Sequence, residues 1–188
     1  MSDNKINRLL VDINKFTNKI LLQKSKFCSK SQVLYTNPQI IKLDEMITIS
    51  KILSKNKTIG ITTGCFDIFH SGHLKSIKSA STQCDILILL LNSDKSIKKL
   101  KGDNRPINSL ENRLDLLSEL PYIDYIVIFD EPDADSLLNR LFFHTLFKGG
   151  DYKIKELQDK FPKINIILTD KVNNSTTNIV DYVRYIYK

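Results

Sequence analysis

The chain has 188 residues, 28 Lys and Arg against 21 Asp and Glu, a formal net charge of +7, and 41% hydrophobic residues. That length and composition suit one main globular domain and set aside a disordered or fibrous chain. The longest apolar run, Ile86 to Leu91, has six residues, far short of the ~18 to 20 of a membrane span.

The N-terminus alternates Asn, Lys and Asp with apolar residues, so it lacks a signal-peptide core. The three cysteines, Cys28, Cys65 and Cys84, form no CxxC pair. An odd, scattered set argues for a reducing compartment, here expected to be the cytoplasm, and against a disulfide frame or a zinc site. The charge is uneven: residues 1–57 hold eleven basic against four acidic residues, and residues 58–188 hold seventeen of each. The excess belongs to an N-terminal segment without an arginine-rich block, so solvated helix faces explain it better than nucleic acid.

In chain order, apolar residues from Asn4 to Leu22 recur at helical spacing, and residues 23–41 read as a connector. Together, residues 1–41 are expected to form an N-terminal helical extension, with the main domain at 42–188. Asp44 is expected to cap a helix running to Lys55, followed by a buried strand over Thr58–Thr63. A helix over Gly72–Gln83, a strand over Asp85–Leu91 and a polar loop through residues 92–106 come next. Asn108 with Glu111 reads as a capping pair opening a helix to Leu120. Further strands are expected over Asp124–Phe129, Thr145–Lys148 and Ile164–Leu168, with helices over Asp133–Phe143 and Thr176–Tyr187 and a helix or turn over Asp151–Lys160. Near-continuous apolar strands joined by helical crossovers imply an α/β fold, a Rossmann-like doubly wound sheet of five parallel strands. Its ligand is expected at the carboxyl ends of the strands.

The residues richest in chemistry are Gly64-Cys-Phe-Asp-Ile-Phe-His-Ser-Gly-His73, directly after the first strand. A strand ending in a loop that opens a helix makes a ready anion site. Gly72 removes a Cβ where a phosphate has to approach, and His70 and His73 can donate to oxygens gathering charge. Paired histidines alone are more often a helix cap or a satisfied core group; the Phe-Asp element and the preceding strand tip the balance. Cys65 reads as packing, and His144, without a motif around it, as structural.

Three more clusters fall on the same sheet edge. Asn92 can read a base or ribose and Lys101 can bridge phosphates, although Gly102 and Pro106 also mark a plain turn. Arg113 offers a guanidinium fork suited to phosphate, where a surface ion pair is the common alternative. Ser175, Thr176 and Thr177, at the start of the last helix, are either simple caps or a second phosphate cradle.

The decapeptide 64–73 resembles the GxFDxxHxGH signature of the cytidylyltransferase-like nucleotidyltransferases. Lys101-Gly-Asp-Asn-Arg-Pro106, Glu111-Asn-Arg113, Lys148-Gly-Gly-Asp-Tyr152 and Ser175-Thr-Thr-Asn-Ile179 follow in order. That series is similar to the nucleotidyltransferase half of bifunctional heptose enzymes that make ADP-heptose, over about residue 42 to the C-terminus. The resemblance implies transfer from a nucleoside triphosphate, ATP for preference, to a heptose 1-phosphate, with pyrophosphate leaving. A cytidylyltransferase acting on glycerol 3-phosphate or ethanolamine phosphate is the alternative. Those enzymes tend to carry a Trp after the Lys148 loop, and this chain has none. A non-catalytic nucleotide-binding module is a third reading. Thr62-Thr63 stands where the heptose subgroup usually has an Asn before Gly64, and Asn173-Asn174 where it has a Gly-Cys pair.

By resemblance, His70 and His73 contact the α- and β-phosphates, and Lys101 and Arg113 hold phosphates. Ser175, Thr176 and Thr177 take the departing group. Gly64, Cys65, Phe66, Asp67, Gly72 and Asn92 line the nucleotide site, while Lys148, Gly149 and Asp151 face the acceptor. Asp67 either assists the chemistry or braces its loop. Mg²⁺ is expected on the triphosphate with no protein metal site, and a homodimer is expected from the resemblance alone.

Overall fold

A computed structural model describes residues 37–150, 152–169 and 185–186. Within them the elements run β1 (Gln39–Ile41), α1 (Leu43–Leu53), β2 (Ile59–Gly64), α2 (Ser71–Ser81), β3 (Ile86–Asn92), α3 (Asp94–Lys101), α4 (Leu110–Ser118), β4 (Tyr125–Phe129), α5 (Asp135–Leu138), β5 (Thr145–Gly149), α6 (Ile154–Lys160) and β6 (Asn165–Thr169). The strands form one sheet in the order β1-β4-β3-β2-β5-β6, every neighbouring pair parallel. The expected Rossmann-like α/β architecture is present with six strands among the described residues, not five.

The additional strand is β1, within residues expected to be a connector. It pairs Gln39 to Ile41 with Tyr125 to Val127 of β4. The order then explains where a ligand belongs. From β2 the chain crosses to β3 and β4 on one side and to β5 and β6 on the other, so a crevice opens between the carboxyl ends of β2 and β5.

Burial follows the sequence pattern. All seven residues of β3, Ile-Leu-Ile-Leu-Leu-Leu-Asn, are buried, as expected of a central strand covered on both faces. Leu87, Leu89 and Leu91 join Ile77 and Ala80 of α2, Leu117 of α4 and Phe147 of β5 in one apolar cluster. Truncating any of these leucines to alanine is expected to cost about 2 to 5 kcal/mol. Gly60 belongs to this packing: a Cβ there would lie 2.6 Å from the Phe147 ring and 2.8 Å from Cys84 Sγ. No helix among the described residues is long and apolar enough to cross a membrane.

Four local expectations change. Residues 94–101, read as polar loop, form α3, whose cap is Ser93 accepting from the Ser96 amide. α4 is capped by Ser109, not Asn108, with Ser109 accepting from the Asn112 amide; Asn108 is diverted because its side-chain amide donates to Asp67 O at 2.5 Å. α1 begins after Lys42 without a side-chain cap, leaving Asp44 in the first turn. The helix expected over 133–143 shrinks to Asp135–Leu138, since the Phe142 amide leaves helical bonding to donate to Ser50 Oγ of α1 at 3.3 Å. The expected N-terminal helix lies outside the described residues, as does the closing helix except for 185–186.

Candidate functional site

At the end of β2 the chain turns sharply. Phe66 takes φ +48°, a left-handed conformation that costs a non-glycine residue of order 1 kcal/mol or more and clusters at functional sites. The turn lays the Phe66 ring against Gly64, where a Cβ would lie 3.0 Å from it. The same ring stands 5.0 Å from the His73 ring, with Phe69 at 5.6 Å on that imidazole. Two glycine-permitted and aromatic contacts therefore fix His73 before any ligand arrives.

His70 caps α2: its Nδ1 accepts from the Gly72 amide at 3.1 Å. In the neutral ring that bond places the proton on Nε2, free to donate. The bland cap reading and the functional one are thus compatible, because one nitrogen serves each. The His70 and His73 rings stack with centroids 3.8 Å apart. His73 Nδ1 is buried and has no hydrogen-bond partner among the described residues. Burial, then His70 and the Lys101 charge, push the His73 pKa down to about 4, and burial also lowers that of His70. Both rings are therefore neutral near pH 7, standing at a helix N-terminus.

Below this pair lies a knot of buried charge. Asp67, 2% exposed, spends its carboxylate on three hydrogen bonds and one further ion-pair contact. Arg105 Nε and Nη2 reach it at 2.6 and 2.5 Å, and the Ile107 and Asn108 amides at 2.9 Å each. Arg113, also 2% exposed, donates to Cys65 O at 2.7 Å, Asn92 O at 2.8 Å, Asn108 O at 3.2 Å and Asp94 Oδ1 at 2.8 Å. The loops after β2 and β3 and the segment before α4 are tied together by these two side chains. The choice left open for Asp67 falls to bracing, and the guanidinium of Arg113 is engaged chiefly by the protein's own oxygens. Burial raises the Cys65 thiol pKa against the opposing charges of Lys101 and Arg113, which suits packing and not nucleophilic work.

Asn92 is 5% exposed, and its side-chain amide donates to Ser96 Oγ at 2.8 Å. Ser96 in turn donates to Glu131 O, and Ser93 to Asp130 at 2.6 Å, closing the ends of β3 and β4. Lys101 ends α3 on the exposed side of the knot, and its charge acts on both His73 and Cys65. Across the crevice, Lys148 Nζ donates to Thr63 Oγ1 at 2.5 Å and lies 4.9 Å from the Tyr152 ring. Thr169 Oγ1 donates to Lys148 O at 3.2 Å and accepts from Ser76 of α2 at 2.9 Å.

His70, Gly72, His73, Asn92, Lys101, Arg113, Lys148 and Gly149 thus come from the carboxyl edge of one sheet or the elements directly after it. Asp151, Ser175, Thr176 and Thr177 lie outside the described residues. Sequence reading assigned no role to Arg105, Thr63 or Thr169. The one signal for Arg105 was an arginine preceding a proline, which says nothing of its partner. Among the described residues no group of His, Cys, Asp or Glu is arranged to hold a metal ion. Asp67, the nearest carboxylate by sequence, has its oxygens occupied by Arg105 and two amides.

Residues 61–181 match the cytidylyltransferase-like family. The bifunctional protein HldE of Campylobacter fetus subsp. fetus is 40% identical over 147 residues, 78% of this chain and 31% of that protein. That of Nitratiruptor sp. is 44% identical over 151 residues, 79% of this chain and 33% of the relative. The chain therefore spans about a third of the length of the curated relatives it matches. Among solved structures, the lipopolysaccharide core biosynthesis protein of Thermoplasma volcanium superposes with TM-score 0.53 at 27% identity, over 64% of this chain and all of that one. Pantoate-beta-alanine ligase of Francisella tularensis shares the fold, with TM-score 0.55 at 19% identity over 80% of this chain and 78% of its own.

Proposed function

Since this chain belongs to the cytidylyltransferase-like family of nucleotidyltransferases, we propose that it joins a sugar phosphate of the heptose 1-phosphate type to the α-phosphate of ATP. The observation that carries the proposal is the stacked pair His70 and His73 at the N-terminus of α2, with a donor-capable Nε2 on one ring and, on the other, a buried nitrogen unpartnered among the described residues. Neutral imidazoles beside a helix N-terminus suit oxygens that gain negative charge during transfer.

In the proposed reaction an acceptor phosphate oxygen attacks the α-phosphorus. One P–O bond forms, the bond to the β-phosphate oxygen breaks, and pyrophosphate departs with the electron pair. The attacker is already an anion, so no general base and no covalent intermediate are needed. Catalysis rests on orientation and charge stabilisation. His70 and His73 donate to the α- and β-phosphates, and Lys101 holds phosphate from the end of α3. Ser175, Thr176 and Thr177 receive the leaving group, and Lys148, Gly149 and Asp151 meet the acceptor. Asp67 and Arg113 hold the loops that present these groups. Mg²⁺, when bound with the triphosphate, would supply counter-charge to it, and no described residue is assigned to hold it.

The sugar phosphate is favoured by Lys148-Gly-Gly-Asp-Tyr152, by the absence of Trp and by the HldE relatives. The solved relative named for lipopolysaccharide core biosynthesis points the same way. The test is pyrophosphate release from ATP and from CTP, each with heptose 1-phosphate, glycerol 3-phosphate or ethanolamine phosphate. Turnover with ATP and heptose 1-phosphate is expected. Turnover confined to CTP with a polyol or amino-alcohol phosphate replaces this reading with the cytidylyltransferase one, and triphosphate binding with no release under any pairing rejects catalysis on these acceptors.

A further inference from the structure

Lys101 sits at the end of α3, and Gly102 at φ +89° with open space around it redirects the chain. From there to α4 the segment has little of its own to hold it. Arg105 N bonds Gly102 O at 3.1 Å, a contact within the segment. Apart from the Gly102 amide on Lys98 O at 2.9 Å, its described hydrogen bonds outward from this stretch converge on one residue. Arg105 Nε and Nη2, and the amides of Ile107 and Asn108, all end on the Asp67 carboxylate, while Asn108 Nδ2 reaches the Asp67 carbonyl. The remaining described side-chain tie is Arg113 Nε to Asn108 O.

The pair is well buried, with side-chain exposures of 14% for Arg105 and 1% for Asp67. Burying such a pair brings little net stability, because desolvation offsets the attraction. What a planar guanidinium seated on one oxygen of a fixed carboxylate does supply is orientation. Asp67 is three residues before His70, so whatever Asp67 holds is set in register with the histidine pair. The segment it holds begins at Lys101, whose charge is already felt at His73.

We propose that Arg105 is a positioning residue, which through Asp67 fixes residues 101–108 and so sets the Lys101 ammonium against the triphosphate at the histidine pair. This rests on the nucleotidyltransferase reading above. Two measurements separate it from that reading: amide hydrogen exchange in the free protein, and affinity for MgATP without acceptor. Both are made on the full chain for wild type, Arg105→Ala, Arg105→Lys, Lys101→Ala and the Ala–Ala double variant.

Arg105→Ala is expected to speed exchange at Ile107 and Asn108 while β3 amides keep wild-type rates. MgATP affinity is expected to fall about tenfold, the scale of one charge-assisted contact. Arg105→Lys, which keeps the charge but loses the planar guanidinium, is expected to lie between wild type and Arg105→Ala. The double variant should bind no more weakly than Lys101→Ala alone, because Arg105 acts through Lys101. Unchanged exchange in Arg105→Ala overturns the tie, and additive losses in the double variant overturn the action through Lys101. If Arg105→Ala fails to fold, Asp67→Asn carries the same comparisons. A wild-type chain that does not bind MgATP overturns the nucleotidyltransferase reading, and the exchange data then judge the tie on its own.

Discussion

The two ends of β2 use the same residue types for opposite purposes. At its amino end, His144 Nδ1 accepts the Ile59 amide at 3.0 Å, and Asp85 accepts both the amide and the hydroxyl of Thr58 at 2.8 Å. These side chains complete the backbone's own hydrogen bonding at the sheet's closed end. At its carboxyl end His70 also satisfies a backbone amide, yet with one ring nitrogen only, and His73 keeps a buried nitrogen without a partner among the described residues. A fold normally pairs its buried polar atoms, so a ring nitrogen buried and unpaired among the described residues distinguishes this end of β2 from the other. Histidine content alone cannot separate the two ends; the partner of each ring nitrogen can.

The largest effect that would break this contrast is on turnover. His73→Ala is expected to lower turnover by about 10² to 10³, the usual loss for one preorganised donor, with little change in melting temperature. Near-normal turnover in that variant would remove His73 from the chemistry. Next comes the knot beneath: Arg113→Leu is expected to destabilise the protein by about 3 kcal/mol, because the carbonyls of Cys65, Asn92 and Asn108 lose their charged donor. A urea midpoint equal to wild type would mean that the three loops are held by something else.

A smaller effect concerns pH. Burial, the neighbouring His70 and the Lys101 charge depress the His73 pKa to about 4 in the folded protein, against roughly 6.5 unfolded. Below that unfolded value the unfolded chain takes up the proton first, so stability falls as pH drops from about 6.5 toward 4 and levels off beneath. The urea midpoint measured across that window should decline, and His73→Ala should flatten the decline; an equal slope in the variant would assign the pH dependence elsewhere. Smallest is the control at the other end. His144→Ala should cost about 1 kcal/mol, the worth of one hydrogen bond, and leave turnover at the wild-type value. A turnover loss there to match that of His73→Ala would erase the distinction between the ends.

Much of this was legible from sequence, for identifiable reasons. β3 and β4 announce themselves because strands buried on both faces are apolar nearly throughout, while β2, Ile-Gly-Ile-Thr-Thr-Gly, is marked by its β-branched residues and by the 64–73 motif where it ends. β1 was hidden: three residues after a proline carry too little pattern, and β4 supplies its partner from some eighty-five positions away. α3 was hidden by composition, since Asp94-Lys-Ser-Ile-Lys-Lys-Leu-Lys101 buries only Ser96 and Ile97. The site residues were found by type, but their roles depend on partners distant in sequence. Arg113 finds Asn92 and Cys65, and Asp67 finds Arg105, across separations of 21 to 48 residues. No local spacing encodes such pairs, which is why a phosphate ligand and a loop brace look alike in a string of letters.

β1 has a consequence for solubility. It is short, Gln39 and Ile40 are exposed, and it covers the outer edge of β4 for three residues. A bare parallel edge with Tyr125, Ile126 and Val127 presents unpaired amides and carbonyls beside apolar side chains, a template onto which another chain can add. Three short residues therefore act as a guard against self-association. A chain trimmed to begin at Lys42 would keep every residue of the histidine pair and the knot, and would be expected to aggregate all the same.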